Sequence, residues 1–238
     1  MSIIKTLGYF LQLFFNAFSN KGERTNFMNL DDIELDEPKQ LQSNETRERI
    51  YDAAATLLRE RGFNYLTVTN ICKLAQISNG TFFYHFKTKG DLFVGFTFRE
   101  FSVFRSRNHF EENVKDLPFD QRILCFYDCW ADYLQELGLE FSSSFYNTQN
   151  YSLDVRLWNH RTPIDVWNYP GECLEDAQVQ GLLKDDLSVD HCAEVLGTLI
   201  KGVAFNWCLS LGSFDMHERI REVMVPYLNS ICKEPLAH

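Results

Sequence analysis

The sequence predicts an all-α fold, on three observations. Apolar residues recur at helical spacing over long segments, capping residues stand where those segments begin, and no alternating run of β-branched residues suggests a sheet. The first helix is expected over about 45–61. It carries Glu45 and Glu48 in its first turn, Ile50, Ala54, Leu57 and Leu58 on its apolar side, and Gly62 as its stop. Thr67 then caps a short helix that sets Val68, Ile71 and Ala75 on one face. Gln76, Ile77 and Ser78 make a tight turn, with the Ser78 hydroxyl capping a second short helix that Phe82 and Phe86, four apart, anchor in the core. Thr88 and Asp91 form a capping box opening a segment to about Asn108, with Leu92, Phe93, Phe96 and Phe104. Pro118 starts a helix over about 118–137. Residues 138–170 are less regular and aromatic-rich, punctuated by Pro163 and Pro170. Ser188 caps a helix over about 189–211, and a last helix spans about 215–232.

Length and composition suit one small domain joined to a larger one. The chain has 238 residues, and its 45% hydrophobic content, with 21 Phe, can fill a substantial core. A net charge of −10 argues against nucleic acid only if it is uniform, and it is not. Residues 46–90 hold seven Lys and Arg against three acidic residues, a net +4, whereas residues 91–238 carry a net −11. A basic module on an acidic body is the polarity of a protein that docks one end on phosphates. Seven cysteines without a framework pattern point to a reducing, cytoplasmic setting. Cys125 and Cys129 lie four apart on a helix and could share a metal or sense an oxidant; the simpler reading makes both small buried hydrophobes. No nucleophile elbow, phosphate loop or zinc spacing is present, so the chain is read as a non-enzyme with no catalytic residue, metal or cofactor.

The first 43 residues read as an extension and acidic linker, possible in part only as a non-native start. Ile3, Ile4, Leu7, Phe10, Leu11, Phe14 and Phe18 form an apolar stripe. It is short for a membrane span, which needs about 20 residues, and lacks a basic polar face, so no firm membrane association is expected. Two readings stand: a helix that packs on the protein or a partner, or sequence upstream of a native start at Met28. Residues 31–38 read as a solvated acidic linker.

The short helix opened by Ser78 exposes Asn79, Gly80, Thr81, Tyr84 and His85 and is held by a helix behind it, an arrangement suited to a DNA major groove. Asn79 can make a bidentate contact to an adenine edge, Thr81 can bond a base or touch a thymine methyl, and Gly80 permits close backbone approach.

Arg49-Ile50, Ala53-Ala54, Leu57-Leu58, Gly62-Phe63, Thr67-Val68, Ile71, Ala75, Ser78 to Phe86 and Lys89 together resemble the DNA-binding domain of the TetR family of bacterial transcriptional regulators. The resemblance implies a three-helix helix-turn-helix domain over 44–104, with its motif at 67–86, and a larger helical effector-binding and dimerisation domain over 105–238. It implies phosphate contacts from Thr67, Thr69, Tyr84, His85 and Lys89, with Lys87 adding to the field. Where many members carry Tyr, this chain has Phe83, so a hydroxyl is missing and Tyr84 stands next to the gap. The family pattern further implies a homodimer on a pseudo-palindromic operator. Val195, Leu199, Gly202, Val203, Met224 and Leu228 are the interface candidates, against the competing reading that these stripes serve the subunit's own core. A small, apolar or aromatic effector is implied as well, with candidate walls Phe126, Trp130, Phe145, Tyr146, Trp158, Trp167 and Trp207 and polar partners Arg156, His160 and Arg161. The leading expectation is therefore a repressor released by a small molecule. The alternative is a ligand-independent DNA-binding protein acting through assembly or a protein partner.

Overall fold

The computed structural model describes residues 37–146 and 165–236, with side chains described from Ser43 and again from Asn168. The apolar stripe at the N-terminus lies outside these residues, as do Arg156, Trp158, His160 and Arg161 and the side chain of Trp167. Among the described residues the fold is helical, with no strand beyond one isolated antiparallel bridge, Leu183 to Cys232.

The first helix, α1, spans Glu37–Arg61 and so begins well before the expected start, inside what reads as an acidic linker. The chain divides into two units between Ile50 and Tyr51. Within the larger unit, a 3-10 turn Phe63–Tyr65 leads to α2 (Val68–Ala75), α3 (Asn79–His85) and α4 (Lys89–Arg107). Gly62 stops α1 at φ 80°, a left-handed value that costs glycine little. The anticipated domain boundary at 104/105 falls within α4, which runs on without a break.

The body continues through α5 (Phe110–Val114), α6 (Phe119–Leu137), α7 (Leu139–Phe145), α8 (Asp165–Val179), α9 (Val189–Leu209) and α10 (Met216–Ile231). The irregular stretch expected over 138–170 therefore contains α7 and the first turns of α8, which passes through Pro170. The core is built from rings. Trp130 stands edge-on to Phe101 at 4.8 Å and stacks on Phe98 at 5.9 Å, and Tyr133 adjoins Phe101 and Phe104 at 5.5 and 5.4 Å. Tyr133 also donates its hydroxyl to the Thr97 carbonyl at 3.0 Å, tying α6 to α4. On α10 the buried residues Met216, Ile220, Met224 and Leu228 recur every fourth position, the period of one helix face. Arg221 grips both carboxylate oxygens of Asp128 at 2.9 and 2.6 Å and fastens α10 to α6. Helix α9 is long and apolar enough to cross a membrane, but Leu196, Ile200, Ala204 and Trp207 are buried in this core.

Candidate nucleic-acid interface

Three side-chain caps set the motif. Thr67 accepts from the Asn70 amide at 3.2 Å, Ser78 from the Thr81 amide at 3.0 Å, and Thr88 exchanges bonds with Asp91 at 2.9 and 3.1 Å as a complete capping box. Each satisfies amides that a helix start would otherwise leave open. Between α2 and α3, Gln76 takes a left-handed φ of 54°, and the Ile77 amide closes back onto the Cys72 carbonyl at 3.0 Å. That closure ends α2 sharply and turns the chain into α3. Leu66, Ile71, Cys72, Ala75, Phe82 and Phe86 are buried beneath it.

The outer side of α3 is what remains. Asn79, Gly80, Phe83 and Tyr84 are exposed, Tyr84 by 80% and Phe83 by 51%, while Thr81 and His85 are half-buried. Tyr84 and His85 meet edge to face at 5.2 Å, which orients both rings. Thr67, Thr69 and Lys87 are exposed too. A side chain of 80% exposure on an aromatic residue carrying a hydroxyl is well placed for an external partner.

Several site residues sit otherwise than the sequence suggests. The Thr81 and Ser78 hydroxyls lie 2.9 Å apart, so both take part in the cap as well as facing outward. Lys89 turns its ammonium over the Phe93 and Phe63 rings, at 4.7 and 5.4 Å, and burial lowers its pKa. Its charge is thus engaged within the protein, at the junction between the motif and the body. Phe126, Trp130, Phe145, Tyr146 and Trp207 are buried among one another and their neighbours, with Trp130 donating to the Tyr146 hydroxyl at 3.2 Å. These candidate walls are core, because close ring packing leaves them no open face. Val203, Met224 and Leu228 also point into their own subunit's core; Val195 and Leu199 are half-buried and Gly202 is exposed. The outward stripe of α9 is instead Thr198, Gly202, Phe205 and Leu209.

The thiols fit the simpler reading. Burial pushes Cys129 up to about 12 and Cys173 to about 11, and raises Cys125 as well, so none is poised as a thiolate. No group of three or more metal-ligating residues occurs among the described residues.

Two features escaped the sequence reading. Gly95 leaves room for Tyr51, whose hydroxyl would lie 2.2 Å from a Cβ at that position. Arg105 is a buried guanidinium facing Phe110, Tyr169 and Phe126 at 4.5, 5.0 and 5.2 Å and paired with Glu111. A buried Arg cannot be told from a surface one by helical periodicity alone, since its neighbours lie on other helices.

A capped two-helix motif with a short polar outer helix, borne on a helical body, defines a helix-turn-helix regulator. Residues 50–95 match the profile described as bacterial regulatory proteins, tetR family, and the chain belongs to that family. It is 22% identical over 174 residues to the HTH-type transcriptional regulator UidR of Escherichia coli (strain K12), covering 69% of this chain and 82% of that protein. Over 197 residues it is 22% identical to the HTH-type transcriptional regulator AcrR of Shigella flexneri, covering 76% and 86%. In fold it is similar to Thermus thermophilus FadR, a TetR family transcriptional repressor crystallised with lauroyl-CoA. The TM-score is 0.63 at 21% identity, over 81% of this chain and 99% of that one.

Proposed function

We propose that this protein is a cytoplasmic transcriptional repressor that binds a pseudo-palindromic operator as a homodimer and leaves it when a small apolar molecule binds the body. The observation that carries the reading is the outer side of α3, where Asn79, Gly80, Phe83 and Tyr84 are exposed on a helix locked by the Ser78 cap. Asn79 and Thr81 read base edges, Gly80 lets the backbone approach, and Thr67, Thr69, Tyr84, His85 and Lys87 hold phosphates. DNA binding is assigned to residues 44–104, and effector binding and dimerisation to 105–238.

Dimerisation uses α9 and α10, and the stripe of Gly202, Phe205 and Leu209 supplies contact that the buried Val203, Met224 and Leu228 cannot. Two-fold symmetry then sets the recognition helices about 34–36 Å apart, or a multiple of it. An apolar effector is suggested by the body's ring-rich interior and by the acyl-CoA bound to the Thermus protein. Release requires that effector to prefer the conformation unfit for DNA.

The test is binding of the protein to the DNA upstream of its own gene, against random DNA, at two salt concentrations. Selective binding is expected, with Asn79→Ala changing base preference by about 1–3 kcal/mol and Tyr84→Phe weakening all sites alike. Equal affinity for both DNAs, collapsing with salt, would leave only phosphate attraction and end the reading.

A further inference from the structure

A cavity of about 640 Å³ lies between the end of α1 and helices α4, α6 and α7. One wall belongs to the motif side: Leu58, Arg59 and Phe63. The facing wall belongs to the body: Val103, Tyr133 and Phe141. Such a volume lies within the range of sites for small organic molecules, and its aromatic and aliphatic lining is of the usual kind.

The charges on its walls are largely spoken for. Arg107 holds both oxygens of Glu136 at 2.9 and 2.7 Å, and Arg99 holds Glu100 at 2.8 Å. Glu140 stands in the first turn of α7, where the helix dipole favours a carboxylate. Arg59 remains: among the described residues it makes no hydrogen bond or ion pair, although its field reaches Glu100. Val103, an apolar residue on the rim, is 55% exposed. An apolar enclosure with one uncommitted guanidinium at its edge matches a molecule that has an apolar body and a single negative end.

We propose that this junction cavity is a ligand site for an amphipathic organic anion, held by its apolar body between Leu58 and Val103 and by its charge on Arg59. The inference rests on the reading of the protein as a DNA-binding regulator only for its consequence, not for the binding itself. Phe63 packs on Phe93 and Phe141 at 5.8 and 5.9 Å, and the Lys89 ammonium lies over the same rings. A molecule entering between the two walls presses on that ring cluster, which joins the body to the start of α4 directly after the recognition helix. If it fits better with the walls apart, it shifts the placement of α3 and weakens operator binding. By linkage, operator DNA then weakens the ligand by the same factor.

The probe is 1-anilinonaphthalene-8-sulfonate, an aromatic anion whose fluorescence rises in apolar sites, titrated into the full chain. Saturable binding is expected, weakened at least tenfold by Val103→Trp, which fills the rim, and several-fold by Arg59→Ala, a surface change that leaves the core intact. Circular dichroism of both variants verifies folding. Unchanged affinity in Arg59→Ala, or tighter binding of a cationic dye of similar size, overturns the assignment. A second titration with operator DNA tests the consequence: equal, reciprocal losses of affinity support it, and independent binding refutes it. Failure of the chain to bind operator would count against the regulatory reading, while the fluorescence titration alone still decides the cavity.

Discussion

The motif and the body of this protein are stabilised by different means. Helices α2 and α3 have eight and seven residues, too short to persist alone, and each begins at a side-chain cap that fixes its first turn. Helix α6, by contrast, has 19 residues and no side-chain cap bond at its start, and it is held by rings from α4 and α7. Local hydrogen bonds thus specify the part that presents α3 outward, and non-local ring packing specifies the part that supports it. An outward-facing helix cannot draw on burial over its whole surface, so its precision has to come from its ends and from two anchoring rings.

The sharpest way to break this comparison is to remove an anchor. Phe82 is fully buried and meets Phe86 at 5.7 Å, which in turn meets Tyr51 at 5.4 Å. Phe82→Ala is expected to lose about 3–5 kcal/mol in urea unfolding. The loss should appear in one transition, because residues 51–238 form a single unit that includes the motif. A separate early transition would show that the motif melts alone and that the ring contacts to the body contribute little.

A smaller effect is expected where the two regions share a helix. A Cβ at Gly95 would meet the Tyr51 hydroxyl at 2.2 Å, and the ring, buried against Phe86, has little room to retreat. Gly95→Ala should therefore destabilise the protein by about 1–3 kcal/mol despite the better helix propensity of alanine. Tyr51→Phe removes the nearest atom and leaves a ring carbon at 3.2 Å. The double variant should then lose clearly less than the sum of the single ones, a coupling of about 1 kcal/mol or more. Additive losses would locate the cost of Gly95→Ala elsewhere.

These cases show which parts of the fold could be read in advance. Thr67, Ser78, Thr88 and Ser188 each cap the helix they were expected to cap, because a cap is a relation between residues two or three apart. Phe82 and Phe86 are buried for the same local reason, their spacing. Gly95 gave no such sign; its meaning depends on a residue of another helix. The same limit explains Trp130 and Phe126. Aromatic residues at helical spacing read equally as pocket walls or as core, and only the partners from α4 and α7 decide for core. Lys89 is a third case. Its position after α3 suggested phosphate contact, whereas Phe63, brought in by the turn after α1, draws its ammonium inward. Arg59 was counted as part of the basic field, and nothing nearby in sequence marks the cavity it borders.

The smallest expected effect separates a neutral cap in the motif from a charged one in the body. Ser78 accepts one amide, so Ser78→Ala should cost about 1 kcal/mol at any pH between 3 and 7. Asp215 caps α10 by accepting from the His217 and Glu218 amides at 2.8 and 3.2 Å, and these bonds hold its carboxyl below the ordinary 3.8. With the folded pKa depressed, the unfolded chain binds more protons as the pH approaches 3.8 from above, so the contribution is complete well above that value. It fades as the pH falls through 3.8 toward the folded value, where the cap is protonated in both states. Asp215→Ser should accordingly cost stability at pH 7 and progressively less toward pH 3, read as a narrowing gap between its urea midpoint and that of the wild type. The Ser78→Ala gap should stay constant over the same range. A constant gap for Asp215→Ser would mean that the two caps act alike and that the charge on α10 adds nothing to its bonds.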